Sequence, residues 1–448
     1  MQSSNAFDHV WMPFTWYQDM IDCPPLIISR GSGIHVFDNT GRHYIDAVGS
    51  WWVSSFGHNH PAISSAIKKQ LDSIEHILMA GFISEPALRL SHLVSGLLPR
   101  PLNRIFYSDD GSTAVEVALK IALQYHALRK NKACEFVALG GSYHGDTLGA
   151  MSVSNIPSYH TLFHERFCRQ HSVSSPYCYR CPAGKYAETC DAECMAPLER
   201  LLAESRGHIA ACIFEPMVQG AAGMRVYPAK TLKRIFSLCK QYEVLTIADE
   251  VATGFGRTGK MFACEHTDEV PDIICLAKGL TGGYVPMGVT AVKEHIFEEF
   301  KGGFGSDRIL YHGHSFTGNP LAAAAGCATM ELLRDHAIPL SLGPLIERFK
   351  TELEQFRSYD VAGDVRSIGL IGAIELVSDR RTKEPFQPSR RFAHSVARRA
   401  LGHGLLVRPL GEVIYFIPAF IITEDQMSDM FSRLHLALKE ELNARPAA

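Results

Sequence analysis

Two charged residues stand where buried strands should end. Val244 to Ala248 is an apolar run the length of one strand, and it stops at Asp249 and Glu250. Ile273 to Ala277 is a second such run, and it stops at Lys278 and Gly279. A glycine-rich turn, Thr253 to Gly259, lies between them. In an open α/β sheet, ligands bind at the carboxyl ends of the strands, so this pattern puts a carboxylate and an amine on one edge. A lysine in apolar surroundings has its neutral amine favoured, which suits Schiff-base chemistry. A neighbouring acid can keep a proton on a ring nitrogen, which is what pyridoxal phosphate needs to act as an electron sink. Taken singly, Asp249 reads as a helix cap and Lys278 as a solvated charge; the information lies in the combination.

Further residues point to the same edge. Arg104 to Tyr107 is a short strand that runs into Ser108-Asp-Asp-Gly111-Ser112, and apolar residues then recur at helical spacing from Thr113 to Leu128. Strand, Gly-Ser and helix make a phosphate-binding arrangement, although the serine or aspartate there can equally cap the helix. Phe136 to Leu139 predicts a strand followed by Tyr143, placed to lie against a planar ring, and Asp146, placed to reach a substrate amine. Ile209 to Phe214 is another buried strand and ends in Glu215. Ser315, in the donor-rich stretch from Tyr311 to Pro320, precedes an alanine-rich helix and again suits phosphate. Arg408 ends a strand, where its guanidinium suits a carboxylate, with a surface ion pair as the alternative. Trp51 and Trp52 are adjacent and cannot point the same way from a strand, so one of them lines a cavity or interface unless both are core.

These residues need a large scaffold. The 448 residues exceed the usual limit of a single core. Strand-helix alternation to about residue 300 predicts an α/β fold with a mostly parallel sheet covered on both faces. From about residue 335 the pattern is α+β, and it should pack with the hairpin formed by residues 34–46. The expected division is an arm and hairpin in 1–49, a large domain in 50–333 and the rest of a small domain in 334–448. The first 30 or so residues form an aromatic arm with Trp11, Phe14, Trp16 and Tyr17. A net charge of −3 and a pI of about 6.7 give no reason for nucleic-acid or anionic-membrane binding. No apolar run approaches the roughly 18 residues of a membrane span, and no secretory signal is visible. Twelve cysteines then read as reduced thiols of a cytoplasmic protein. Cys178, Cys181, Cys190 and Cys194 have a first pair spaced as in a zinc knuckle, but the remaining spacing fits no recognised metal site, so no metal is expected and the four thiols stand as a secondary candidate.

The segments DEVATGFGRTG and LAKGLTGG together resemble the cofactor-acid and cofactor-lysine segments of the class III, fold-type I aminotransferases. The likeness runs over nearly the whole chain through WMPFT, GSWW, GHNHP, YSDDGSTAVEVALKIALQY, YHGDTLGAMSV, HGHSFTGNPL and VRPLG. It implies a pyridoxal-phosphate-dependent transaminase with a large domain built on a mostly parallel sheet and a small α+β domain drawn from both termini. Lys278 falls at the Schiff-base and proton-carrying position, and Asp249 at the partner of the pyridine nitrogen, with Glu215 a further acid at the cofactor. Gly111, Ser112 and Ser315 fall at phosphate contacts, and Tyr143 at the ring-stacking position. Trp51, Trp52, Asp146, Gly313 and the arm residue Phe14 fall at substrate positions, and Arg408 at the carboxylate position. In this family the Ser315 position serves the partner subunit's cofactor, which implies a homodimer with shared sites acting on small molecules.

The tryptophan pair and FACEH narrow the likeness to the branch that aminates 8-amino-7-oxononanoate in biotin synthesis. Two positions depart from that branch. Phe14 replaces a tyrosine found in users of S-adenosylmethionine, and His314 replaces the usual proline before Ser315. The expected donor is S-adenosylmethionine, with lysine close behind. Transaminases of ω-amino acids or ornithine derivatives, an aminomutase of the glutamate-semialdehyde type and a non-catalytic pyridoxal-binding protein are the alternatives; the last should have lost Lys278 or Asp249.

Overall fold

A computed structural model describes residues 9–164, 170–186, 189–205 and 207–444. Its main sheet has seven strands: β1 (Leu102–Ser108), β2 (Glu135–Leu139), β3 (His171–Val173), β4 (Ile209–Phe214), β5 (Leu245–Asp249), β6 (Ile273–Leu276) and β7 (Gly288–Lys293). Their order across the sheet is β1-β7-β6-β5-β4-β2-β3. All neighbours run parallel except at β7, which is antiparallel to both β6 and β1. Every residue of β4, β5 and β6 is buried, as in a sheet covered on both faces. Side chains alternate between two cores. Ile273 and Cys275 face the cluster that holds the helix Gly111–Leu128, while Ile274 and Leu276 face the larger cluster on the other side.

The antiparallel β7 and the short β3 were not expected from strand-helix alternation. After β6 the chain turns back through Thr281-Gly282-Gly283 instead of crossing over in a helix. Gly282 and Gly283 have φ of +63° and +87°, and a Cβ on Gly283 would come within 2.8 Å of the Val53 carbonyl oxygen. An antiparallel return needs only such a short connection.

Both chain ends meet in the remaining structure. Ile28–Ser32, His35–Asp38 and His43–Asp46 form an antiparallel meander that Leu405–Leu406 joins in parallel. Ala362–Ile368, Ile371–Leu376 and Val413–Phe416 form a three-stranded antiparallel sheet, backed by helices Gly343–Glu354 and Glu424–Asn443. Among the described residues, no helix is long and apolar enough to cross a membrane.

Candidate active site

Sheet register sets the first distance. Asp249 pairs with Cys275, so Lys278 leaves the neighbouring strand three residues beyond it, on the same edge. There it opens a short 3-10 turn, Lys278–Thr281, and borders a cavity of about 420 Å³ lined also by Trp52, Gly111, Ser112, Tyr143, His144, Gly145, Glu215, Asp249 and Val251. The amine lies 5.0 Å from the centre of the Trp52 ring. Burial lowers the Lys278 pKa, and Asp249 and Glu215 oppose that shift. The balance increases the neutral, nucleophilic form.

Asp249 is 5% exposed, and His144 holds it. The His144 Nδ1 is 2.7 Å from one carboxylate oxygen, and the backbone N–H of Val251 donates to the other at 3.1 Å. His144 is itself fixed, because its own N–H donates to the Ser154 hydroxyl at 2.8 Å. Glu215 accepts from the backbone N–H groups of Tyr143 at 3.1 Å and Gly220 at 2.8 Å. Burial pushes its pKa up to about 7; His144 pulls against this and the Asp249 charge adds to it. Tyr143 donates its hydroxyl to Asp146 at 2.7 Å, and burial followed by that carboxylate raises its pKa.

At the far end of the cavity stands the start of the helix Gly111–Leu128. Asp110 and Thr113 form a reciprocal capping box. The first-turn N–H groups of Gly111 and Ser112 have no acceptor within the helix. Ser112 Oγ accepts from the Asp146 N–H at 3.0 Å, so its proton remains free to donate. A Cβ on Gly145 would lie 1.9 Å from Ser112 Oγ, and one on Gly111 would lie 2.7 Å from Val251. Glycine alone fits where these turns close on the cavity. The free N–H groups at the helix start suit an anion, Tyr143 and Val251 offer faces for a planar ring, and the Asp249 carboxylate can accept from a protonated ring nitrogen, so pyridoxal phosphate fits.

The same helix positions the surrounding loops. Glu116 accepts from the Thr147 hydroxyl and from the N–H groups of Gly149 and Ala150 at 2.6–3.1 Å. Lys120 donates to the Tyr311 carbonyl at 2.7 Å, and Gln124 to those of Ile309 and Asp307 at 2.9 and 3.2 Å. His314 pairs with Asp109 at 2.8 Å, just before the start of the helix.

A second cavity of about 410 Å³ opens beside the first and shares Trp52, Val53, Tyr143 and Lys278 with it. Its outer walls are Pro13, Phe14, Trp51, Asp146, Tyr159 and Arg408. Arg408 lies over Trp51 at 4.9 Å and donates to the Phe14 carbonyl at 3.1 Å. The two tryptophans therefore line cavities, Trp52 buried and Trp51 exposed. They do so from an irregular turn and not from a strand, with φ of +60° at Ser50 and +67° at Trp52.

Gly313 and Ser315 are the sequence candidates that line neither cavity of this chain; both are exposed. Cys190 and Cys194 are buried and Cys178 and Cys181 half-buried. Burial and the neighbouring thiols push Cys178 up to about 11 and Cys194 up to about 12. Among the described residues no group of three or more possible ligands is arranged to hold a metal. The segment instead clips onto the strand Ile371–Leu376, with Tyr177 and Arg180 both bonded to Glu375. His144, Glu116 and Tyr159 were missed as site residues. His144 stands in the same YHGD stretch as Tyr143, but only the fold brings it to an acid 105 residues away.

A family model described as "Aminotransferase class-III" matches residues 17–438. A relative from Nitratidesulfovibrio vulgaris, described as adenosylmethionine-8-amino-7-oxononanoate aminotransferase, is 41% identical over 94% of this chain and 78% of its own. One of the same description from Aquifex aeolicus is 40% identical over 97% and 96%. The crystal structure of the Methanocaldococcus jannaschii protein of that description superposes with a TM-score of 0.92 at 36% identity, covering 98% of both chains. An omega transaminase from Pseudomonas jessenii in complex with PMP gives 0.93 at 28% identity over the same share of each. A lysine and a held carboxylate on one sheet edge, a glycine-lined helix start and this full-length likeness lead to one conclusion: the chain belongs to the class-III aminotransferases and is a pyridoxal-phosphate-dependent enzyme.

Proposed function

We propose that the enzyme transfers an amino group to 8-amino-7-oxononanoate, giving 7,8-diaminononanoate in biotin biosynthesis. The observation that carries this reading is the outer cavity. Arg408 and Lys278 both line it, together with the aromatic side chains of Phe14, Trp51, Trp52, Tyr143 and Tyr159. That suits a chain with a carboxylate at one end and a ketone toward the other. Relatives at about 40% identity have the matching description. S-adenosylmethionine is the proposed donor. Lysine is the second reading, because Phe14 offers no hydroxyl to the donor.

Gly111, Ser112 and Asp249 would hold the phosphate and ring nitrogen, with Tyr143 against the ring. Bound pyridoxal phosphate supplies an aldehyde that takes up the amine and a ring that accepts the negative charge left when the donor carbon loses a proton. Lys278 Nζ would take that proton from the donor carbon and, as general acid, give it to the former aldehyde carbon of the cofactor, a role its lowered pKa favours. Asp249, fixed by His144, would keep the ring nitrogen protonated. Asp146, beside Tyr143, receives the substrate amine, and Arg408 its carboxylate. The second half-reaction runs the same proton movements in reverse.

Ser315 and Gly313 serve the partner subunit in a proposed homodimer. Exposed Phe304, Tyr311 and Phe316 around them form part of the face that a second copy would cover. We place the enzyme in the cytoplasm and assign residues 1–49 and 334–448 to the small domain. The test is the half-reaction of the holoenzyme with each donor alone, followed by cofactor absorbance, and then addition of the keto acid. S-adenosylmethionine should convert the cofactor, and the keto acid should reverse the change. Conversion by lysine alone would overturn the donor, and no reversal by the keto acid would overturn the substrate.

A further inference from the structure

One polar group in the outer cavity is used by no step above. Tyr159 sits on the helix Pro157–His164, half-buried, with its ring in edge contact with Phe14 at 5.1 Å between centres. Its ring borders the space that Arg408 and Asp146 also face. Burial raises its pKa, with Arg408 opposing and Asp146 adding, so the hydroxyl stays protonated and able to donate. No side chain or backbone group among the described residues bonds to it. The hydroxyl of Tyr143, by contrast, is already engaged with Asp146 at 2.7 Å.

Arg408 is partly engaged as well. One terminal nitrogen donates to the Phe14 carbonyl, and the guanidinium plane lies over Trp51. A carboxylate presents two oxygens with about four acceptor sites. One guanidinium fork fills only two of those acceptor sites, and one of the five N–H groups of Arg408 is already given to the arm. The free hydroxyl beside it can supply what is missing. We infer that Tyr159 is a second donor to the carboxylate of an aliphatic keto or amino acid bound at Arg408, which makes it a specificity-determining residue. The hydroxyl that Phe14 lacks is then provided from the helix behind the arm. This inference rests on the reading that Arg408 takes the substrate carboxylate.

The test is Tyr159→Phe in the holoenzyme, assayed with the carboxylated acceptor and with amine donors that carry or lack a carboxylate. A hydrogen bond to a charged group contributes about 1.5–3 kcal/mol, so KM for carboxylated substrates should rise about tenfold or more. The kcat should stay within about twofold, and carboxylate-free amines should be unaffected. Cofactor absorbance and melting temperature should match wild type, since one half-buried oxygen is removed. An unchanged KM, an equal loss for amines without a carboxylate, or a general loss of cofactor and stability would each overturn the inference. Arg408→Gln separates this from the reading beneath it. If that variant keeps its preference for carboxylated substrates, the role of Arg408 fails, whatever Tyr159→Phe shows.

Discussion

At Lys278 the chemistry depends on one nitrogen whose neutral form burial favours. Lys278→Ala should leave the fold intact and lower turnover by at least about 10⁴-fold, the upper range for a lost general base, measured as single-turnover rates. Asp249→Asn should keep the cofactor but slow the chemistry. Removing one partner of a buried charge pair costs about 3–5 kcal/mol, or about 10²–10⁴ in rate; a mild effect would shift attention to Glu215. Glu215 makes a separate prediction. Its pKa rises from 4.5 to about 7 in the folded chain, so between those values the folded state keeps a proton that the unfolded state has released. The cofactor-free protein should therefore lose stability as pH rises from about 4.5 to 7 and then level off. Glu215→Gln should remove that share of the slope, read as urea midpoints at pH 5 and pH 8. At this scale Lys278 and Asp249 were legible because each ends a strand. His144 was not, since its partner lies on another strand and only packing brings them within 2.7 Å.

The helix Gly111–Leu128 was legible from its apolar spacing, although that spacing placed its start at Thr113, two residues late. The apolar spacing says nothing of its polar residues, yet Glu116 holds a loop more than 30 residues away. Side-chain bonds to distant backbone leave no periodic trace in sequence. Glu116→Ala would leave three donors without their acceptor and loosen the segment that follows Asp146. Charged hydrogen bonds contribute about 1.5–3 kcal/mol each, so kcat/KM should fall about tenfold or more while cofactor affinity changes little. Steady-state kinetics beside a cofactor titration would check this. The return of β7 is compatible with the mostly parallel sheet expected but was not itself legible: two glycines after Lys278 allow a tight reversal that strand-helix alternation does not reveal.

Across the whole molecule, composition could exclude partners but could not show a shared site. Only the resemblance at Ser315 suggested one, and the structure leaves that residue on the outside of its own chain. Mixing Lys278→Ala chains with Ser315→Ala chains should produce dimers with one site carrying both changes and one carrying neither. Activity should return toward that of one intact site per mixed dimer. No recovery, with subunit exchange shown independently, would mean that each chain completes its own site.

The residues Ser112, Glu116, Lys120 and Gln124 have a geometric consequence. A helix turns about 100° per residue, so a step of four advances the side chain about 40° around the axis. Over the twelve residues from Ser112 to Gln124 the row climbs about 18 Å and winds about a third of a turn. It is a slow spiral and not a straight seam. Its lower half therefore meets the segment from Asp146 to Ala150, while its upper half swings round to the carbonyls of Asp307, Ile309 and Tyr311. One rod can thus hold two segments that lie side by side. Deleting a single residue between Glu116 and Lys120 would turn the upper half away by about 100°, releasing the outer loop while the inner one stays in place.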